Sequence, residues 1–403
     1  MKINKRVIDE CTTCNSCTAF CPVAAVTREF PGPKLVGPAG ERLRKQGGRI
    51  DAALTYCTNC KTCEITCPNG VPVAAINMAA KANYYRQHGH SLRDWILAHG
   101  ELMAKLATPV SWLANLGMAN PLTRKILKAL GIAADKRALP AYAARTLNDE
   151  YRNLRQQPFA DKVVFFPGCY ISNNEPRVGL DLIAVLQKNG YEVILPPGLN
   201  CCGVPMVTGA YIEDAAAAGR RNIAILAEYV RRGYPVLTCC TSCGQMLKQE
   251  YCEQLAVGDE AAAVAAKTYD AMEFLMELHE NGRLNTDFRF QAGRYLYHAP
   301  CHLRAQGIGR PALEILGLLP GIEVTDADAG CCGIAGSYGF KDDRYDISMA
   351  VGAALFAKIR EVRPDAVLTD CGTCRMQITH ATGAKALHPL AVLRKAYEPA
   401  YKL

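Results

Sequence analysis

Eight of the twenty cysteines in this 403-residue chain fall in two copies of one spacing, C-x-x-C-x-x-C-x-x-x-C-P. Cys11, Cys14, Cys17 and Cys21-Pro22 make the first copy; Cys57, Cys60, Cys63 and Cys67-Pro68 make the second. Thiolates spaced this closely can wrap one face of a polynuclear metal centre. The proline that follows ends the local turn and keeps a further N–H out of the site. Other uses of cysteine fit poorly. Structural zinc takes four ligands in paired knuckles, and this run leaves ligands over. Disulfides need an oxidising compartment, whereas the N-terminus Met1-Lys2-Ile3-Asn4-Lys5-Arg6 is charged and lacks the apolar stretch of an export signal. No run of about 18 apolar residues marks a membrane span.

The spacing resembles that of the bacterial two-cluster ferredoxins, in which the fourth cysteine of each copy ligates the other copy's cluster. The resemblance implies one [4Fe-4S] centre on Cys11, Cys14, Cys17 and Cys67. It implies a second on Cys57, Cys60, Cys63 and Cys21. A helical ferredoxin-type domain is therefore expected over residues 1–90.

Beyond residue 160 the sequence repeats with a period of about 131 residues. Phe166-Pro167-Gly168-Cys169 answers to His298-Ala299-Pro300-Cys301, and Cys201-Cys202-Gly203 to Cys331-Cys332-Gly333. Cys240-x-x-Cys243 answers to Cys371-x-x-Cys374. So long a period is a duplicated domain, not a solenoid. Each copy alternates short apolar runs with helical stripes, which predicts parallel α/β layers. In the first copy, strands are expected at 163–166, 191–195 and 235–238, with a long helix at 212–232. In the second, strands are expected at 295–298, 322–325 and 366–369, with helices at 312–318 and around 345–360. The units follow as 161–290 and 291–403. In both copies all five cysteines come after the carboxyl end of a predicted strand, the rim where open α/β sheets collect ligands. Gly203 and Gly333 would let the backbone approach closely there.

The two five-cysteine sets are Cys169, Cys201, Cys202, Cys240, Cys243 and Cys301, Cys331, Cys332, Cys371, Cys374. They resemble the cysteine-rich CCG domain, whose heterodisulfide-reductase branch binds a non-cubane [4Fe-4S] cluster on such a set. The resemblance implies one or two further clusters. A zinc site in one copy, or an empty structural set of cysteines, are the competing readings. Cys239 and Cys252 have no counterparts in the second copy and read as inert thiols.

Residues 91–160 form a basic connector holding both tryptophans, and the stretch from 81 to 160 supplies most of the chain's net charge of +8. Leu92, Trp95, Ile96, His99, Leu102, Met103 and Leu106 recur at helical spacing. Trp112, Leu113 and Leu116 follow, then Leu122, Ile126, Leu127 and Leu130 flanked by Arg124, Lys125 and Lys128. Such faces can lie in a membrane interface, or pack against the chain's own domains. Nucleic acid is not expected, since no binding motif accompanies the charge.

Taken together, these regions resemble the iron–sulfur subunits of flavin-linked dehydrogenases, and most of all the C subunits of anaerobic glycerol-3-phosphate dehydrogenase. The resemblance spans essentially the whole chain. Its bearing segments include Gly40-Glu41-Arg42-Leu43-Arg44, Cys331 to Gly336, and Tyr338-Gly339-Phe340-Lys341. It implies an electron-transfer role: partner flavoprotein subunits oxidise sn-glycerol 3-phosphate, and this chain passes electrons to membrane quinone, menaquinone, in anaerobic respiration. It also implies peripheral attachment to the cytoplasmic face of the inner membrane. No glycine fingerprint for a dinucleotide follows a strand, so no catalytic residue for substrate oxidation is expected here. A glycolate, lactate or heterodisulfide system remains open, as does a metal-bound scaffold or redox sensor. His298, His302 and His388 could donate to a cluster sulfur or to quinone, though packed histidines are the simpler reading. Lys34, Arg42, Arg44 and Lys45 could dock a flavoprotein or form a solvated loop.

Overall fold

The structure, a computed structural model, describes residues 8–44 and 52–403. Lys45 and the segment Met1–Arg6 lie outside the described residues. A helical N-terminal region leads through short helices into two parallel sheets with helices packed on them. This is the expected fold class: a helical ferredoxin-type region followed by two α/β cysteine-rich lobes.

The first sheet contains β1 (Asp161–Phe165), β2 (Tyr191–Ile194), β3 (Val236–Thr238) and β4 (Thr268–Asp270), in the order β2-β1-β3-β4. The second repeats it with β5 (Gly293–Tyr297), β6 (Ile322–Asp326), β7 (Ala366–Leu368) and β8 (Ala386–Leu387), ordered β6-β5-β7-β8. Every pairing is parallel, with Val163 opposite Val193 and Tyr295 opposite both Val324 and Ala366. Helices cover both faces, so the central strands are continuous apolar runs rather than alternating ones. Six strands fall where the sequence places them. The edge strands β4 and β8 were not foreseen; three and two residues long, they carry too little pattern to read. The helix expected around 345–360 is two helices, Tyr345–Val351 and Ala353–Val362, broken at Gly352.

The lobes share one core. Leu182, Leu186 and Leu275 of the first pack in the same buried cluster as Tyr297, Leu316 and Leu393 of the second. Each such side chain contributes roughly 1.5–3 kcal/mol by leaving water. The helix Pro176–Lys188 lies against Pro389–Tyr397, and Thr241–Gln245 against Cys301–Gln306. The carboxyl rims of the two sheets thereby turn toward each other.

The connector differs from the simplest reading of its stripes. The helices Leu92–Ala98 and Gly100–Ala107 turn small residues, Ala98 and Ala104, inward. Leu92, Trp95, Leu102 and Leu106 face out, as do Leu113, Leu116, Leu122, Ile126 and Leu130. Trp112 is 71% exposed. Polar groups fix the connector instead. Lys341 pairs with Asp94 at 2.5 Å and Arg93 with Asp343 at 3.1 Å. Arg137 is fully buried, donates to Ser348 Oγ at 3.1 Å and to Gln377, and covers the Tyr345 ring. Asn115 holds residue 142 in place twice, donating to its carbonyl and accepting from its amide. Among the described residues, no helix is long and apolar enough to cross a membrane.

Candidate metal centres

In the N-terminal region, backbone conformation sets the cysteine geometry. Thr13 and Asn15 flank Cys14 with positive φ, and Asn59 and Lys61 flank Cys60 in the same way. Left-handed φ is uncommon for residues other than glycine. Its repetition on both sides of the equivalent cysteine curls each motif into the same cup. The cups draw in the distant fourth cysteine of the other copy. Cys11, Cys14, Cys17 and Cys67 line one cavity, and Cys21, Cys57, Cys60 and Cys63 line another, each of about 20 Å³. Among the described residues, neither cavity wall contains a carboxylate or an imidazole. An all-thiolate donor set suits iron–sulfur clusters. Burial pushes the Cys21 thiol up to about 12 and Cys63 well above its ordinary value, so proton loss there needs metal to drive it.

Buried polar contacts lock the second cup onto both lobes. Asn59 donates to Glu250 at 3.0 Å, and Lys61 pairs with the same carboxylate at 3.3 Å. His302 lies between Ser242 Oγ at 2.8 Å and the Asn59 carbonyl at 3.0 Å. Lys81, buried, donates to the Cys57 carbonyl at 3.1 Å and to that of Thr208 at 2.8 Å. The arginines suggested for docking are used internally. Arg42 donates to the carbonyls of Ile8 and Cys11, both at 3.0 Å, while Arg44 holds Glu41 and the carbonyl of Val36.

In each lobe the sheet rim delivers five cysteines to one place. Cys169 lies in the helix Gly168–Asn173 after β1, and Cys201-Cys202 precede Val204–Thr208. Cys240 is the N-cap of Thr241–Gln245, as Cys371 is of Gly372–Thr382. The sulfurs of Cys169 and Cys201 are 3.4 Å apart, and those of Cys332 and Cys374 are 3.1 Å apart. All twenty cysteines are unbridged. The glycines after each pair have φ of +94° at Gly203 and +85° at Gly333. Their amides point back at Cys201 Sγ (3.5 Å) and Cys331 Sγ (3.3 Å).

The electrostatics repeat with the fold. Donation from Cys169 pulls the Cys201 thiol well below its ordinary value, and donation from Cys301 does the same for Cys331. Cys371 is drawn down to about 6, chiefly by Cys374. Each rim thus favours an anionic sulfur, helped by helix N-termini. Cys239 is buried and pushed well up by desolvation, as expected of an inert thiol; Cys252 is only partly buried.

Of the three histidines, His302 and His388 are satisfied by packing contacts; His388 meets the Cys239 carbonyl at 3.0 Å and caps Leu390. His298 differs. It is buried, burial lowers it to about 4, and its Nε2 has no partner. One of its ring nitrogens lies within 4.8 Å of the Cys332 and Cys374 sulfurs. Phe166 occupies this position in the first lobe, so the two sites are not chemically identical. The repeat alignment showed the His–Phe exchange, but not which way the ring faces. Glu250, Lys81 and Arg137 carry no motif and were missed.

The four sets form a series. Cys60 shares a cavity with Cys301, Cys331 and Cys332 of the second lobe. Cys371 lines that cavity and also the one that holds Cys169, Cys202, Cys240 and Cys243.

A dicluster cysteine cup feeding a facing pair of cysteine-rich α/β lobes defines a class of iron–sulfur proteins. The 4Fe-4S dicluster domain matches residues 7–71, and the cysteine-rich domain matches 163–248 and 295–379. The chain belongs to the family of iron–sulfur C subunits of anaerobic glycerol-3-phosphate dehydrogenase. It is 37% identical to the C subunit of that enzyme from Escherichia coli (strain K12), over 98% of this chain and 100% of the relative. The B subunit of the fumarate reductase (CoM/CoB) of Methanothermobacter marburgensis is 28% identical over 95% of this chain and 70% of its own length. Lactate utilization protein A of Bacillus licheniformis is 28% identical over 56% and 93% respectively.

Proposed function

We propose that this chain is the electron-transfer subunit of a flavin-dependent sn-glycerol-3-phosphate dehydrogenase. It would take electrons from flavoprotein partners and deliver them to membrane quinone, menaquinone, in anaerobic respiration. The observation that carries this reading is the series of thiolate sets, in which the second cup, the second lobe and the first lobe meet at shared cavity walls and the first cup adjoins the second. Clusters bound there supply one-electron carriers, so a flavin's electron pair can leave singly.

Cys11, Cys14, Cys17 and Cys67 would hold one [4Fe-4S] centre, and Cys57, Cys60, Cys63 and Cys21 the other. Cys169, Cys201, Cys202, Cys240 and Cys243 would hold a non-cubane centre in the unit 161–290. Cys301, Cys331, Cys332, Cys371 and Cys374 would do so in 291–403. The left-handed residues of each cup and the amides of Gly203 and Gly333 position these sulfurs and hydrogen-bond them. The exposed apolar faces of residues 91–160, rimmed by Arg124 and Lys125, would rest on the cytoplasmic face of the inner membrane. Each suitably placed basic residue adds about 1 kcal/mol on anionic lipid.

The test is an iron and acid-labile sulfide count on anaerobically purified protein, with redox-titrated EPR. About sixteen irons per chain are expected, from four cubane or non-cubane centres of four. Glycerol 3-phosphate with the flavoprotein subunits should reduce the centres; an iron-poor chain, or centres that stay oxidised, would reject the reading.

A further inference from the structure

The cavity at the first-lobe cysteines is far larger than its counterparts. It measures about 300 Å³, against about 30 Å³ at the matched set of the second lobe and about 20 Å³ at each N-terminal set. The same ligand chemistry elsewhere in this molecule therefore needs about a tenth of the space. The remainder is a chamber, and its size reaches the range of small-molecule sites.

What covers each rim explains the difference. The second-lobe set is covered by the N-terminal cup, with Thr58 and Cys60 in the cavity wall. The first-lobe set is covered by the connector, whose Gly100, Ala104 and Ala133 leave the space open. One set thus faces the preceding carrier, and the other faces a void. No Asp, Glu, Lys, Arg or His lines the chamber among the described residues. Leu97, Met103, Met118, Leu139 and Phe340 supply much of its wall. A phosphorylated or carboxylated substrate would lose its hydration there without a counter-charge. An uncharged, flat molecule would not. Two phenols, Tyr142 and Tyr170, also line the chamber, and neither hydroxyl has a hydrogen-bond partner among the described residues. Each phenol O–H is a hydrogen-bond donor facing largely apolar walls. On the outer side, the helices that roof the chamber present Trp95, Leu102, Trp112 and Leu116 to the exterior.

We propose that this chamber binds the ring of a lipid-soluble quinone, with Tyr142 and Tyr170 donating to its carbonyl oxygens and the first-lobe thiolate set as the final stop before it. The quinone enters from the bilayer through the connector helices. It takes two electrons, one at a time, that originate in the partner's reduced flavin, and two protons from water, and it leaves as quinol. Two O–H bonds form, the two carbonyl π bonds are lost as the ring becomes aromatic, and no σ bond of the quinone breaks. The second lobe has no such chamber and relays only. This inference rests on the electron-transfer reading above and adds the site to it.

The test uses the full chain, purified anaerobically with its iron, and an arylazido derivative of menadione as photolabel. Label is expected in the peptides spanning residues 96–104 or 139–174, and unmodified menadione should compete it away. Met103→Trp and, separately, Leu139→Trp fill the chamber and should weaken menadione binding by roughly tenfold. Iron content, sulfide content and the dithionite-reduced EPR spectrum should stay unchanged in both. Tyr170→Phe should weaken binding by about threefold or more, with the same spectrum. Label found elsewhere, or unchanged affinity in folded, iron-replete variants of both wall residues, would overturn the proposal. If the flavoprotein and glycerol 3-phosphate leave the centres oxidised while menadione still labels the chamber, the functional reading fails and the binding site stands.

Discussion

The glycines that follow the two Cys-Cys pairs occupy equivalent places, yet they should respond differently to one methyl group. Both have left-handed φ, which costs an alanine about 1–2 kcal/mol at either site. The surroundings then separate them. A Cβ on Gly203 would meet the Ala215 methyl at 3.3 Å, a tight contact that small adjustments relieve. A Cβ on Gly333 would lie 2.0 Å from the Ser348 carbonyl oxygen and 3.1 Å from the Gly352 amide nitrogen. Both belong to backbone at the Tyr345–Val351 helix and the break after it, so relief requires moving a packed element. Overpacking of this kind adds about 1–3 kcal/mol. Gly203→Ala should therefore cost about 1–2 kcal/mol, and Gly333→Ala about 2–5 kcal/mol. Because the Gly333 amide hydrogen-bonds Cys331 Sγ, its variant should also lose iron from the second lobe while the first stays loaded. Thermal melts under argon, with iron counts and EPR on the same samples, measure both effects. Equal destabilisation, or a larger loss at Gly203, would refute the steric argument.

Three other outcomes follow from the same geometry. Asp270 and Asp370 are buried, and desolvation raises them to about 8 and about 6, with the Asp370 charge adding to the rise at Asp270. The folded state therefore holds more protons than the unfolded one, and stability should fall as pH rises from about 4 to about 8. Asp270→Asn keeps the cap on Met272 and should raise Tm at pH 8 by several degrees but little at pH 4; a shift independent of pH would reject the assignment. Cys67→Ser should alter only the EPR signal of the centre on Cys11, Cys14 and Cys17, and Cys21→Ser only that on Cys57, Cys60 and Cys63; the opposite pattern would mean uncrossed ligation. Trp112→Asp with Leu116→Asp should abolish co-sedimentation with phosphatidylglycerol vesicles and leave iron content intact; undiminished sedimentation would move the membrane contact elsewhere.

Much of this site was legible in the sequence because cysteine spacing is a direct record of geometry. The alternation of apolar runs and helical stripes puts each of the ten repeat cysteines after the end of a strand, and the sheet rims are where they lie. The connector was half legible. Its periodicity marked the helices, but a stripe does not say whether it faces in or out, and here alanines took the inner face. The edge strands β4 and β8 carried no pattern of their own. Contacts made across long separations left no trace at all. Glu250 holds a loop 191 residues away through Asn59, and Arg137 reaches Gln377 across 240 residues. The chamber is the same kind of feature, because it arises from what the connector fails to fill.

The spatial succession of the thiolate sets runs against the order of synthesis. The C-terminal lobe stands between the N-terminal cup and the lobe translated before it. A polypeptide released or clipped before residue 291 would possess an entrance and an exit with no bridge joining them. Under the proposed electron path, loss of the second lobe would therefore break the succession between the cup and the first lobe, and would uncover Cys60 of the cup.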